Sequence, residues 1–221
     1  MNCLFIGTGK GIGRALSQRY RADGHSVFSI TGKESHDQNA LVVDWATVNE
    51  AALHRWLCEL PNLDLIFFNQ NSSSLSQSSF ATNSLANLDL WRQIKHWKQS
   101  YYVSCQMCFQ IIHSLSRQIH ADTRVVWMLT SMIMRHDHDT NQSLGYADYI
   151  GNKYQNYLLM RNFSCNHLGC FLALEPGDVS GDDHADRTHT IQTILKRPTS
   201  EINGRVFGMS GKPSQIYQNL P

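Results

Sequence analysis

The chain predicts an α/β fold, a parallel and doubly wound sheet with helices on both faces, and three observations carry that prediction. Short apolar runs alternate with stretches of helical periodicity along the whole length. The first run leads directly into a glycine-rich turn and then a helix, as in a strand–turn–helix nucleotide unit. The residue types suited to chemistry fall at the ends of the later runs or on the helices that follow, where the ligand crevice of such a sheet lies.

Taken in order, Asn2-Cys3-Leu4-Phe5-Ile6 is an apolar strand that enters Gly7-Thr8-Gly9-Lys10-Gly11-Ile12-Gly13. Glycines there let the backbone turn tightly and approach a pyrophosphate, which the next helix N-terminus stabilises through its free N–H groups and dipole. Further strands are expected at 26–31, 40–43, 64–68, 124–130, 169–174 and 204–208, and helices at 11–23, 46–59, 87–120 with a break, 147–167 and 185–196. Only eight residues separate Thr31 from Ala40, too few for a full crossover helix, so that connection is expected to be pared down. Ser72 to Ser79 is serine-rich and polar, a loop expected beside the ligand. Neither an internal repeat nor a domain boundary is visible, so one domain spanning 1–221 is expected.

Tyr149-Ile150-Gly151-Asn152-Lys153 supplies the reactive pair. Four residues apart on a helix, phenol and ammonium project from one face, where the cation lowers the phenol pKa and makes it a usable proton donor and acceptor. A Tyr-x-x-x-Lys also arises by chance, and Tyr146, Tyr154 and Tyr157 stand nearby. The glycine turn at the other end of the chain is what gives the pair meaning.

Together these residues resemble the short-chain dehydrogenase/reductase (SDR) family, whose pattern is Gly-x-x-x-Gly-x-Gly near the start and Tyr-x-x-x-Lys past the middle. Gly7, Gly11 and Gly13 fit the first, and Tyr149 and Lys153 the second. Other matches come in the family's order. Asp44 ends the strand from Ala40, where the family's aspartate contacts the adenine. Asn69 closes the strand from Leu65, and Ser131 after Thr130 matches the catalytic serine. Pro176-Gly177 follows the strand to Leu174, like the turn beside the nicotinamide. The segment from Asn203 to Lys212 resembles the closing strand of the compact C-factor-like subgroup. The chain departs from the pattern in three places. Ser104 stands where the family has an asparagine that supports a proton-relay water, Gln70-Asn71 replaces a smaller pair, and the stretch from Ser131 to Tyr149 is long, with Arg135-His136-Asp137-His138-Asp139 in the excess.

The resemblance implies a Rossmann-like domain that transfers hydride between a nicotinamide and a small-molecule carbonyl compound. In it Ser131 hydrogen-bonds the oxyanion, Tyr149 donates the proton, and Lys153 binds the ribose and lowers the Tyr149 pKa. The cofactor contacts implied are Gly7, Gly9, Lys10, Gly11, Ile12, Gly13, Thr31, Lys33, Asp44, Asn69, Lys153, Pro176 and Gly177. NADP(H) is expected over NAD(H): the second strand ends Thr31-Gly32-Lys33 with no acid for a ribose hydroxyl, and Lys10, Arg14 and Lys33 suit a 2′-phosphate. Relatives commonly pair through the helices that here hold Ser104 and Tyr149, so a homodimer or homotetramer is implied. The alternative is a catalytically weak nucleotide-binding regulator or signalling protein on the same fold.

Composition narrows the classes further. A net charge of +1, with no run or stripe of Lys and Arg, argues against nucleic acid. At 42% hydrophobic residues the chain builds one substantial core, yet no apolar stretch approaches a membrane span, and the apolar start is too short for a signal peptide. A cytoplasmic protein is expected. Cys105-Gln106-Met107-Cys108 has no second pair at matching spacing, so buried helical thiols are expected rather than zinc or a redox switch. His136 and His138 suit a solvated loop better than a metal site.

Overall fold

The computed structural model describes residues 1–32, 35–45, 47–70, 98–129, 147–176 and 185–218. Its centre is one seven-stranded sheet of β1 (Asn2–Ile6), β2 (Ser26–Thr31), β3 (Ala40–Val42), β4 (Leu65–Phe68), β5 (Arg124–Met128), β6 (Cys170–Glu175) and β7 (Val206–Gly208). The strand order is β3-β2-β1-β4-β5-β6-β7 and every pairing is parallel. The chain therefore winds outward from β1 to β3 and returns to start again at β4. That reversal opens a crevice between the carboxyl ends of β1 and β4, where Ile6 pairs with Phe68.

Strand alternation divides the core into two layers. Cys3, Phe5, Leu65, Phe67, Val126, Leu172 and Leu174 face α1 (Gly11–Ala22) and α5 (Ala185–Leu195), meeting Ile12, Leu16, Tyr20, Ile191 and Ile194. Leu4, Ile6, Ile66, Phe68, Val125, Trp127, Phe171 and Ala173 face the other way. They meet α2 (Glu50–Cys58), α3 (Met107–Ser114) and α4 (Ala147–Asn166) through residues such as Leu53, Leu57, Ile111, Met160 and Phe163. Trp127 anchors this second layer, stacked between Phe68 at 5.1 Å and Phe163 at 6.3 Å. Both faces being covered, the central strands are apolar throughout, as parallel sheets require.

Within the described residues the strand and helix expectations hold closely and the differences have local causes, whereas the loop 72–79 and the start of the expected helix, 87–97, lie outside them. Helix α2 begins at Glu50 rather than 46 because the Asn49 side chain accepts from Ala52 N–H at 3.0 Å and caps it. Strand β7 begins at Val206 rather than 204, since Gly204 sits at φ 70° and cannot extend the strand. Ahead of α3, Tyr102–Gln106 forms a π-helical turn. Two single-turn helices, α6 (Thr199–Ile202) and α7 (Gln215–Gln218), flank β7 and are too short to leave a periodicity. As expected, no helix links β2 to β3 in the described residues, and β3 is a three-residue edge with Val42 47% exposed.

Candidate functional site

Those sequence-predicted residues that the structure describes lie along the carboxyl edge of the sheet, because all seven parallel strands end there. At the β1–β4 crevice the glycine turn is fixed by sterics. Gly7 has φ 87°, and a Cβ on it would lie 2.6 Å from the Gln70 backbone nitrogen. A Cβ on Gly13 would lie 2.6 Å from both Asn69 Nδ2 and Gly7 O. Asn69 then locks the turn, its Nδ2 donating to Gly7 O at 3.1 Å while its backbone N–H donates to Ile6 O. Gly7 N–H reaches sideways to Ile30 O on β2 at 2.9 Å.

Helix α1 starts just beyond this turn without a cap. Lys10 is extended at the N-cap position and gives no side-chain hydrogen bond, and no acid occupies the first turn. Those N–H groups, with the positive end of the helix dipole, favour an anion. Gly9 and Thr8 line the approach. Ile12 is only 5% exposed and belongs to the core beneath α1, so any contact it makes with a nucleotide is through its backbone.

Beside the turn a cavity of about 390 Å³ runs between α1 and the end of β2, within the range of small-molecule sites. One wall is Arg14, Ser17, Gln18 and Arg21, a stripe at helical spacing, and Thr31 lies in the opposite wall. The loop after β2 supplies Ser35, His36 and Asp37. Arg21 pairs with Asp37. Of the predicted basic contacts, Lys10 is exposed at the helix start, Arg14 lines the cavity, and Lys33 lies outside the described residues. Asp44 follows β3 and accepts from Thr47 Oγ1 at 2.7 Å.

Lys153 lies farther along the same edge, on α4. Its side chain is 3% exposed, and its Nζ donates to Met128 O at 2.7 Å, the carbonyl that ends β5. Burial lowers its pKa to about 8, against smaller opposing effects from the Cys108 and Cys105 thiols. Both thiols are buried in turn, and desolvation pushes each up to about 12, so they stay protonated. Tyr149 lies on the same α4 helix, one turn before Lys153. The Tyr149 side chain, Ser131, His136, His138 and Gly177 lie outside the described residues, whereas Pro176 directly follows β6 and is buried.

Of the departures from the expected pattern, Ser104 and Gln70 have a structural place, while Asn71 and the long stretch after Ser131 lie outside the described residues. Ser104 sits inside the π-helical turn, 1% exposed, its carbonyl accepting from Cys108 Sγ at 3.1 Å and its hydroxyl without a partner among the described residues. Gln70 turns into the protein, where its Nε2 donates to Cys108 Sγ at 2.7 Å. Its bulk is therefore packed against α3. Among the described residues no group of His, Cys, Asp or Glu is arranged to hold a metal, and no helix is long and apolar enough to cross a membrane.

Sequence reasoning missed Arg21, His36 and Asp37. The signal for Arg21 was present in the stripe of Arg14, Ser17, Gln18 and Arg21, but Asp37 joins it only through the fold of the loop after β2.

No protein-family model matches the chain and no curated protein matches it. Solved structures do. A carbonyl reductase from Pseudomonas aeruginosa PAO1 superposes with TM-score 0.71 at 15% identity, over 96% of this chain and 98% of that one. A short-chain dehydrogenase/reductase from Serratia marcescens gives 0.70 at 16%, over 94% of each chain. A short-chain dehydrogenase from Burkholderia cenocepacia in complex with NADP gives 0.66 at 15%, over 95% and 96%. This chain therefore has the fold of the short-chain dehydrogenases/reductases.

Proposed function

We propose that the protein is a member of the short-chain dehydrogenase/reductase family, a single-domain, NADP(H)-dependent oxidoreductase that reduces a ketone or aldehyde to an alcohol. The observation that carries this reading is Lys153. A fully buried ammonium is a costly feature, and here it is pinned to the end of β5, one helical turn from Tyr149, on the sheet edge that also holds the uncapped glycine turn. Solved structures of the same fold are named carbonyl reductase, and one holds NADP.

The residues fit a nicotinamide dinucleotide: the glycine turn and the open start of α1 suit its pyrophosphate, and the Arg14 groove suits the adenosine side. When bound, such a cofactor supplies the hydride. The chain's own part is acid catalysis and positioning. Tyr149 donates the proton to the carbonyl oxygen, Ser131 hydrogen-bonds that oxygen, and Lys153 holds the ribose hydroxyls and keeps the phenol acidic. Gly177 and Lys33 complete the nucleotide contacts in this reading. A cytoplasmic homodimer or homotetramer is the corresponding state of the protein.

A second reading, a nucleotide-binding regulator with little turnover, is favoured by Ser104 in the asparagine position, its hydroxyl inside the π-helical turn without a partner among the described residues. One experiment separates the two. NADPH oxidation is followed against a panel of aldehydes, ketones, quinones and pterins for the parent and for Tyr149→Phe. The reductase reading expects turnover in the parent and a loss of about 10²–10⁴-fold in the variant, with NADPH binding retained. Tight NADPH binding without turnover across the panel, or an equally fast Tyr149→Phe, establishes the regulator instead.

A further inference from the structure

Away from the glycine turn, a second cavity of about 240 Å³ lies between α4 and β7. Tyr157 and Arg161 line it from α4, one and two turns past Lys153, so that Arg161 stands about 12 Å farther along the helix from the proposed cofactor edge. Gly204 and Arg205 line it from the approach to β7, and Ser214 and Tyr217 from the chain that follows. That following chain folds back along the strand. Gly208 N–H donates to Lys212 O at 3.0 Å, Phe207 forms an antiparallel bridge with Pro213, and Ser214 N–H donates to Val206 O at 2.8 Å. The fold-back sets the buried Tyr217 ring against the buried Tyr157 ring, with centroids 5.2 Å apart. Arg161 is fixed as well, its Nη1 donating to Gly204 O at 3.1 Å.

The charge of this cavity is one-sided. Arg161 and Arg205 both line it, no carboxylate is among its lining residues, and neither guanidinium has an acid partner among the described residues. Other arginines of the chain are paired, Arg19 with Asp23 and Arg21 with Asp37. Guanidinium forks bind carboxylate and phosphate oxygens best, and two cations that face one cavity gain most from an anion that both can reach. The tyrosine pair offers flat apolar surface beside that charge. We propose that this cavity is a binding site for a small organic oxyanion, a phosphomonoester or a dicarboxylate, held by Arg161 and Arg205 with its body against Tyr157 and Tyr217. Such a ligand would tie α4 to the fold-back after β7. The site shares no residue with the glycine turn and does not rest on the nicotinamide-nucleotide reading.

The test is calorimetry on the full chain at fixed ionic strength in chloride, with phenyl phosphate and succinate as probes and benzyl alcohol as the uncharged control. At least one anion should bind at one site per chain, and the control should not bind. Binding of phenyl phosphate alone identifies the phosphomonoester class, and binding of succinate alone the dicarboxylate class. Arg161→Gln and Arg205→Gln should each weaken the bound anion about tenfold or more. Arg205→Gln removes an exposed guanidinium with no described hydrogen bond, so it should unfold at the parent's temperature and report the loss of charge alone. NADPH at saturation should leave the anion's affinity unchanged. Failure of both anions to bind at millimolar concentration, equal binding by the parent and both arginine variants, or displacement of the anion by NADPH overturns the site.

Discussion

Helices α1 and α2 begin in opposite ways. At α2 the Asn49 side chain caps Ala52 N–H, Glu50 faces the dipole from the first turn, and Tyr102 donates to Glu50 at 2.8 Å. At α1 there is neither a side-chain cap nor an acid, and the positions that would supply them are Lys10 and glycines. The α2 end is built to stabilise itself. The α1 end forgoes about 1 kcal/mol of capping and leaves its N–H groups to an anion. Buried Lys153 extends the contrast, since it too costs stability on the sheet edge where the ligand is proposed to bind.

The largest effect that would sharpen the comparison is at the glycine turn. Gly7→Ala combines a positive φ with backbone contact at 2.6 Å, so a loss of about 3 kcal/mol or more is expected in denaturant unfolding, together with loss of nucleotide binding. A stable, nucleotide-binding Gly7→Ala would show that the turn is not the constrained element.

Next comes the pH dependence of Lys153. Its folded pKa, about 8, lies below the ordinary 10.5, so the destabilisation is fully present below pH 8 and is relieved as pH rises toward 10.5. Unfolding of the parent and of Lys153→Met should be compared at pH 7 and pH 10.5. The parent should gain about 3 kcal/mol relative to the variant over that interval, and a flat difference would mean that the ammonium is not desolvated.

The two helix ends give the smaller effects. Asn49→Ala should cost about 1 kcal/mol of stability and leave nucleotide affinity unchanged. Lys10→Asn should do the reverse, adding about 0.5 kcal/mol as a cap is formed while weakening nucleotide binding. If Asn49→Ala weakened the nucleotide as much as Lys10→Asn, the division of labour between the two ends would be wrong.

Strand positions were legible because a strand buried on both faces shows as a plain apolar run: β1 and β2 have the bounds expected of them. The glycine turn was equally legible, since only glycine meets the positive φ at Gly7 and the close approach of Asn69 to Gly13. The π-helical turn at Tyr102–Gln106 was not, because one extra residue in a helical turn leaves the apolar pattern almost unchanged. Nor was the hydrogen bond from Lys153 to Met128, or the Arg21–Asp37 pair, as each depends on where a backbone carbonyl or a loop falls in three dimensions. Gln70 looked like bulk beside the cofactor, and only its burial against Cys108 shows where the side chain goes.

The missing crossover helix between β2 and β3 has a consequence for self-association. β3 ends the sheet with its free backbone edge uncovered by any described helix and with Val42 facing outward. An exposed edge of that kind is the usual template for unwanted strand addition and aggregation. Its defence is brevity: three residues, closed off by Asp44 and its bond to Thr47, offer too short a ladder for another chain to extend.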